Sequence, residues 1–506
     1  MSRSINTVKN SVYGVCVQFI NYIFNFICRT VFISVLGSTY LGVSGLFQNI
    51  LSVLSLAELG IGSAMTYNLY KPLAERDEKK ISEYMNFYAK AYTIIGFVVT
   101  GVGLSLLPVL KFIIKDIDSV PDIYLIYILY ILNSGISYFF SYKCTLFEAD
   151  QKNYIVLTIR SICNIVTHMV QIIFLVVFRN YIVYFAIGIV FSLLGNLAIS
   201  ILGDKKYSFL KKHKNSSLST EEKKLLAKHV GAMTSHRVGG VVVNSTDNLI
   251  ISTVLGLSTV GYYSNYHAII SIVKSVLNPI LSSFTAGVGN LNASEGVDKS
   301  YDIFKSLYLF EYWLQGFVTV CFFVLFQPFI KLWIGAEYLI SSSALIIIIA
   351  NYYFTAMRHP VIIYNTSLGL FWNDRYKPWV EAAVNLGASL VLVKYMGLVG
   401  VFAGTLISTI LVCWWVEPYI LYKNHFKKNV LNYYLKTLID FVCLLLCALV
   451  VQWICAFFAH FVLKMIVCVV LVNLYFLIRF YRTAEFKYIF DRVKNIIARI
   501  IKRKVK

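Results

Sequence analysis

Gln18, Asn21, Asn25 and Arg29 follow one another at steps of three and four residues within an apolar stretch. On a helix all four share one face. Amides and a guanidinium set out in this way supply no nucleophile; they bind polar groups. The Arg29 charge costs at least about 3 kcal/mol at the centre of a bilayer unless it faces protein or water. The face is therefore read as lining a wet cavity. The alternative is that Arg29, about seven residues from the outer end of the stretch, snorkels to the interface. A second face of this kind is made by Thr234, Arg237, Gly240, Asn244 and Asp247. His236 and Arg237 lie toward its inner end, where a cationic pair attracts a phosphate group, arginine being the better bidentate partner. The alternative there is that Arg237 pairs with an acid on a loop or another helix.

Two acids are candidates for coupling to an ion, Glu58 and Asp247. Glu58 opens the run Glu58-Leu59-Gly60-Ile61-Gly62-Ser63-Ala64, whose small residues admit a close helix neighbour. It either pairs with Arg29 or binds a coupling proton or sodium ion. Lys274 and Glu311 are further charges within apolar spans and read as pathway residues; Asp440 is a weaker case. No phosphate-binding G-x-x-x-x-G-K-[ST] loop, H-E-x-x-H or G-x-S-x-G occurs. The ten cysteines lie mostly in apolar spans with no C-x-x-C, and read as small buried apolar residues. The expectation is transport without covalent chemistry, with no metal and no cofactor beyond H+ or Na+ coupling.

The elements that position these residues are helices crossing a membrane. Hydrophobic residues make up 58% of the 506 and charged ones 14%, against about 25% charged in a soluble domain. Fourteen stretches of about 20 mostly apolar residues can be drawn: 11–36, 41–69, 85–110, 122–146, 155–178, 182–202, 230–255, 258–286, 304–327, 342–367, 379–394, 397–420, 435–458 and 460–479. The net charge of +21 gathers in alternate loops and in the tail, which sets orientation, with both ends inside. It does not indicate a nucleic-acid partner. All the outside loops are short, the longest being roughly 328–341, which leaves no room for the external site of a membrane glycosyltransferase.

Val35-Leu36-Gly37-Ser38-Thr39-Tyr40-Leu41-Gly42 returns 219 residues later as Val254-Leu255-Gly256-Leu257-Ser258-Thr259-Val260-Gly261. Two similar halves predict two pseudo-symmetric six-helix bundles with a pathway between them. Residues 1–202 form the first bundle, 203–229 a basic cytoplasmic linker, 230–420 the second bundle and 421–480 two additional transmembrane helices. The tail, 481–506, is a basic amphipathic helix suited to an anionic inner leaflet.

With these motifs in order on fourteen spans, the chain resembles the Wzx-type polysaccharide flippases of the superfamily that also holds the MATE exporters and lipid II flippases. The resemblance rests on Ser34-Val35-Leu36-Gly37 with Tyr40-Leu41-Gly42, on the Glu58–Ala64 run, and on Val254-Leu255-Gly256 with Val260-Gly261-Tyr262-Tyr263. Gln151-Lys152-Asn153-Tyr154 and Asp374-Arg375-Tyr376, on cytoplasmic turns, add to it. It implies an all-α, MATE-like, V-shaped pair of bundles in the bacterial cytoplasmic membrane. It also implies a cargo of polyprenyl-diphosphate-linked oligosaccharide moved outward by alternating access for capsule, exopolysaccharide or O-antigen assembly. Implied partners are membrane lipids and the polysaccharide polymerase and chain-length machinery. Arg29 and Arg237 match the family's lumen cations in role. The alternatives are a lipid II flippase, with a different sugar, or a MATE-like ion-coupled exporter of small organic cations. The exporter needs a net acidic cavity, whereas the two polar faces carry Arg29, Arg237 and His236 against Asp247.

Overall fold

The computed structural model describes residues 3–58, 61–115, 117–214, 216–224, 226, 241, 245–294, 296–370, 373–492 and 494. Among them no residue is in a β-strand. The main helices are α1 (Arg3–Leu54), α2 (Ile61–Glu75), α3 (Glu78–Ser105), α4 (Ile123–Ala149), α5 (Asn153–Phe178), α6 (Tyr181–Lys206), α7 (245–254), α8 (Leu257–Ser294), α9 (Val297–Trp333), α10 (Ser342–Ala356) and α11 (His359–Ser367). They continue with α12 (Lys377–Met396), α13 (Leu398–Ser408), α14 (Trp414–Leu421), α15 (Leu431–Ala456) and α16 (Phe461–Phe480). Among the described residues ten helical segments are long and apolar enough to cross a membrane. The first, Gln18–Leu54, has 37 residues. Unbroken it would reach about 55 Å, against a hydrocarbon core of about 30 Å. Gly37, at φ 77° and ψ −174°, breaks it into the two predicted spans, in a backbone region essentially reserved for glycine.

The chain forms two compact units, Met1–Asn265 and Tyr266–Lys506. In the first, α1 packs on α5, α3 on α4, and α6 on both α4 and α5. The repeat is visible here as geometry. Gly256, between α7 and α8, has φ 91°, matching Gly37 at the same offset. The two copies then cross. A Cβ on Gly42 would lie 2.0 Å from the Leu257 carbonyl oxygen, and one on Gly261 2.0 Å from the Ser38 carbonyl oxygen. The hydroxyls of Thr39 and Ser258, repeat mates themselves, are 3.3 Å apart. Gly42→Ala is expected to lower thermal stability in detergent by about 1–3 kcal/mol through overpacking, although alanine is the better helix former by about 1 kcal/mol. Gly45→Ala should be tolerated, because its Cβ would meet the Val260 side chain at 3.5 Å and the Asn248 amide at 3.9 Å, both ordinary contacts.

Two predicted spans are interrupted. The second, expected as 41–69, ends as a helix at Leu54, passes through a 3-10 turn at Ser55–Glu58 and resumes at Ile61. Gly60 and Gly62 weaken the helix there, and the Glu58 carboxylate takes its hydrogen bond from the Tyr92 hydroxyl of α3. The tenth breaks at Met357–Arg358, between α10 and α11. Pro360 lacks an N–H and its ring excludes the preceding turn. The twelfth, expected as 397–420, contains a π-helical turn at Thr409–Cys413 and runs on past its expected end through a second at Tyr422–Phe426, the two flanking α14.

The basic linker is not loose where it is described. Leu218 and Leu226 are buried among Met65, Leu69, Ile81 and Met85. Asn86 donates to the carbonyls of His213 and Ser216. Ser219 and Glu222 form a reciprocal capping box, and the Lys80 ammonium, 2.5 Å away, holds the Glu222 carboxyl below its ordinary pKa.

In the second unit α9 packs against α10, α15 and α16. Asp440 on α15 receives Arg479 of α16 at 2.6 Å and the Tyr308 hydroxyl of α9 at 3.0 Å. Its backbone carbonyl accepts from the Tyr312 hydroxyl at 2.6 Å. Asp440 therefore ties the two additional helices to α9, a structural place rather than one on a pathway. At the start of the basic tail, Phe486 stacks on Trp313 with ring centroids 5.9 Å apart, and Ile489 packs on the same core. Phe490 stays exposed.

Candidate functional site

The first unit encloses a cavity of about 750 Å³. Five stretches of sequence build its wall, the helical ones by the periodicity that put Asn25 and Arg29 on one face. The first part of α1 contributes Asn25, Cys28, Arg29 and Phe32, and its second part Leu41, Ser44 and Gln48. Glu58 enters from the 3-10 turn. Asn133, Ser137 and Ser141 of α4 are spaced four apart. Arg160, Asn164, Thr167, His168 and Gln171 of α5 repeat the three-and-four spacing, and Gly188, Ser192, Gly195 and Asn196 of α6 close the wall. The glycines keep that wall low. A Cβ on Gly195 would meet Cys163 Sγ at 3.3 Å, and one on Gly188 would meet Gln171 Nε2 at 3.2 Å.

Arg29 is fixed by neutral groups. Its Nε and Nη2 donate to Oδ1 of Asn265 at 3.1 and 3.0 Å, and Nη2 donates also to Ser264 Oγ at 3.0 Å. Nη1 makes no hydrogen bond to the described residues. Arg160 is exposed along α5, with Nη2 3.4 Å from Cys144 Sγ. Among the described residues no carboxylate lies within 4 Å of either guanidinium. The pairing of Arg29 with Glu58 is therefore corrected. Both line the cavity, but Arg29 bonds to α8 and Glu58 to Tyr92. The cavity has two arginines against one carboxylate, and that carboxylate is already engaged. Such a site attracts a phosphate or diphosphate and offers amides and hydroxyls to sugar hydroxyls.

The other sequence candidates fall variously. Gln18 is exposed and donates to the Tyr22 hydroxyl at 2.7 Å. Asn21 donates to Ser161 Oγ on α5 at 2.8 Å, joining α1 to that helix. Asp247 is half-buried on α7 and does not line the cavity. His236, Arg237 and Asn244 lie outside the described residues. Arg160, His168 and Gln171 were not singled out in the sequence. The signal that found Arg29, polar residues at steps of three and four in an apolar span, holds equally for Arg160, Asn164, His168 and Gln171.

The second unit holds a separate buried charge network at the break in the tenth span. Arg358 donates from Nε and Nη2 to the two oxygens of Glu417, at 3.0 and 2.7 Å, and reaches Glu381 at 3.4 Å. Lys377 also bonds Glu417 and lies 3.6 Å from Asp374. Glu417 is 1% exposed. His359, next in the chain, is 2.8 Å from Glu311 of α9.

Residues 7–284 match the family described as polysaccharide biosynthesis protein. No curated protein matches the chain. Among solved structures it is similar to the lipid II flippase MurJ in an inward closed conformation, at 14% identity and a TM-score of 0.66, over 93% of this chain and 99% of that one. It is also similar to an inward-facing multidrug-resistance MATE transporter of the MOP superfamily, at 14% identity and a TM-score of 0.57, over 81% and 98%. A third likeness is to the MATE transporter VcmN of Vibrio cholerae, at 12% identity and a TM-score of 0.53, over 84% and 100%. At these identities the likeness is one of fold, and that fold is the all-helical one of the MOP superfamily. With more than half its length matched, the chain belongs to the polysaccharide biosynthesis protein family, and its ten apolar helical segments among the described residues are those of a multi-pass membrane protein.

Proposed function

We propose that this protein moves polyprenyl-diphosphate-linked oligosaccharide units from the inner to the outer leaflet of the bacterial cytoplasmic membrane for surface polysaccharide assembly. The observation that carries this reading is the pair Arg29 and Arg160 on one cavity with no carboxylate among the described residues within 4 Å of either. A cation drawn partly out of water, as Arg29 is, favours a negative partner, and here the cargo supplies it as the diphosphate, with the exposed Arg160 adding a second charge. The sugars meet the Asn, Ser and Gln side chains of α4, α5 and α6, while the polyprenyl tail stays in lipid. Diphosphate binding favours the loading state, and an ion gradient, H+ or Na+, biases the return. Both termini lie in the cytoplasm on this reading, and Asn25, Arg29 and Arg237 lie along the path. A small-cation exporter is disfavoured, because among the described residues that line the cavity two arginines stand against one carboxylate, Glu58.

Cells lacking the gene test the reading. They are expected to accumulate lipid-linked oligosaccharide on the inner leaflet, to lose surface polysaccharide and to stay viable. Unchanged lipid intermediates would overturn the proposal, and lysis with accumulated lipid II would assign the other flippase role.

A further inference from the structure

Glu311 lies within α9 with its side chain wholly buried, and its two oxygens differ. Oε1 is 2.8 Å from His359 Nδ1. Oε2, equally buried, has no hydrogen-bond partner among the described residues. An ionised carboxylate is strongly disfavoured when one oxygen is orphaned away from water. A proton removes the difficulty in either of two ways. On Oε2 it gives a neutral acid beside a neutral ring. On the far ring nitrogen, Nε2, it gives imidazolium against carboxylate. In both cases Nδ1–H still donates to Oε1, so the pair takes up or gives back one proton without separating. His359 is 27% exposed against 0% for Glu311, so the ring is the side from which the proton enters.

The position in the fold gives the proton something to act on. His359 is the first residue of α11, just after the break in the tenth span, and Arg358 before it is clamped by Glu417 and Glu381. Resting on the reading of this chain as an ion-driven transporter, we propose that Glu311 and His359 form its proton-binding site. The titratable groups on the elements around the pair are already engaged. Tyr308 and Tyr312 of α9 bond Asp440, and the Tyr352 hydroxyl of α10 donates to Gln315 at 2.6 Å. Lys274 of α8 sits 5.8 Å over the Tyr352 ring. Lys377 is taken up by Glu417. Sodium is a poor occupant, since one carboxylate and a ring nitrogen do not make an oxygen cage. Among the described residues no cluster of three His, Cys, Asp or Glu side chains is placed to hold a metal ion.

Two measurements on the purified full-length protein test this. Difference infrared spectra between about pH 8 and about pH 5 should contain either a protonated-carboxyl band that Glu311→Gln removes or an imidazolium band that His359→Gln removes. A carboxyl band that persists in Glu311→Gln, an imidazolium band that persists in His359→Gln, or neither band in the wild type, overturns the site. In proteoliposomes carrying a lipid-linked oligosaccharide, a gradient of one pH unit should shift the steady-state cargo distribution about tenfold for one coupled proton per cycle. Glu311→Gln, checked for folding by its melting temperature, should lose that shift. A shift retained in the variant, or a response of the wild type to sodium alone, contradicts the proposal. If wild type moves no such cargo at all, the flippase reading fails and the infrared result still decides the proton site.

Discussion

Replacing Arg29 and Arg160 together by alanine is expected to reduce transport of a diphosphate-linked cargo by roughly 10²- to 10⁴-fold, with only a small fall in melting temperature. Each arginine can give the diphosphate a charge-assisted hydrogen bond, worth about 1.5–3 kcal/mol, or roughly ten- to a hundredfold, when the partner is charged. The two sites add only if they act independently. Stability should fall by no more than about 1–3 kcal/mol, the cost of leaving the buried Asn265 Oδ1 without its donor, because neither guanidinium is part of an ion pair with the described residues. Arg29 bonds only Asn265 and Ser264, and Arg160 reaches Cys144. Arg29→Lys should restore less than half of the lost rate. Two donors of the guanidinium are spent on Asn265 Oδ1, which aims the planar group, and an ammonium cannot reproduce that fork. Transport kinetics in vesicles alongside thermal unfolding separate the two outcomes. Equal loss of stability and rate would make the arginines structural.

The largest expected loss of stability is at Glu417. With Glu417→Ala, Arg358 keeps only Glu381 at 3.4 Å and Lys377 only Asp374 at 3.6 Å, both in buried surroundings. Breaking such a pair from one side costs about 3–5 kcal/mol, because the remaining charge loses its partner without regaining water. The double replacement Arg358→Met with Glu417→Leu should recover part of that loss, since both charges then leave together. Thermal unfolding of Arg358→Met, Glu417→Leu and the double variant, beside Glu417→Ala, in one detergent measures it. A double variant as unstable as the sum of the singles would show that the network has no internal compensation.

Much of this was legible from residue type and spacing. Asn25 and Arg29 stand on the cavity because steps of three and four on a helix are a local property, and the repeat at Gly37 and Gly256 reads directly as two matching breaks. Arg160 carries the same periodic signal, hidden by the longer apolar run that follows it. Other features depend on tertiary pairing, which spacing does not encode. Glu58 meets Tyr92 rather than Arg29 because the chain leaves the helix at Ser55, a consequence of glycines two and four residues beyond the acid. Asp440 is bound to α9 and α16 by residues more than 35 positions away. The Glu417 network joins an arginine at the break in the tenth span, a lysine at the start of α12 and the glutamate of α14 between two π-helical turns, irregularities that hydropathy alone renders as uninterrupted spans. The linker's lysines suggest a solvated loop, and two of its leucines, Leu218 and Leu226, betray the docking.

The central claim is that a diphosphate-linked oligosaccharide crosses the membrane through this protein. The direct measurement reconstitutes it alone into vesicles whose inner leaflet carries a fluorescent lipid-linked oligosaccharide, and follows the appearance of the sugar outside with an impermeant quencher. Rapid appearance with wild type, and near-background appearance with the Arg29→Ala, Arg160→Ala variant, is the predicted result. Appearance no faster than in protein-free vesicles, or equal rates for wild type and variant, would contradict it.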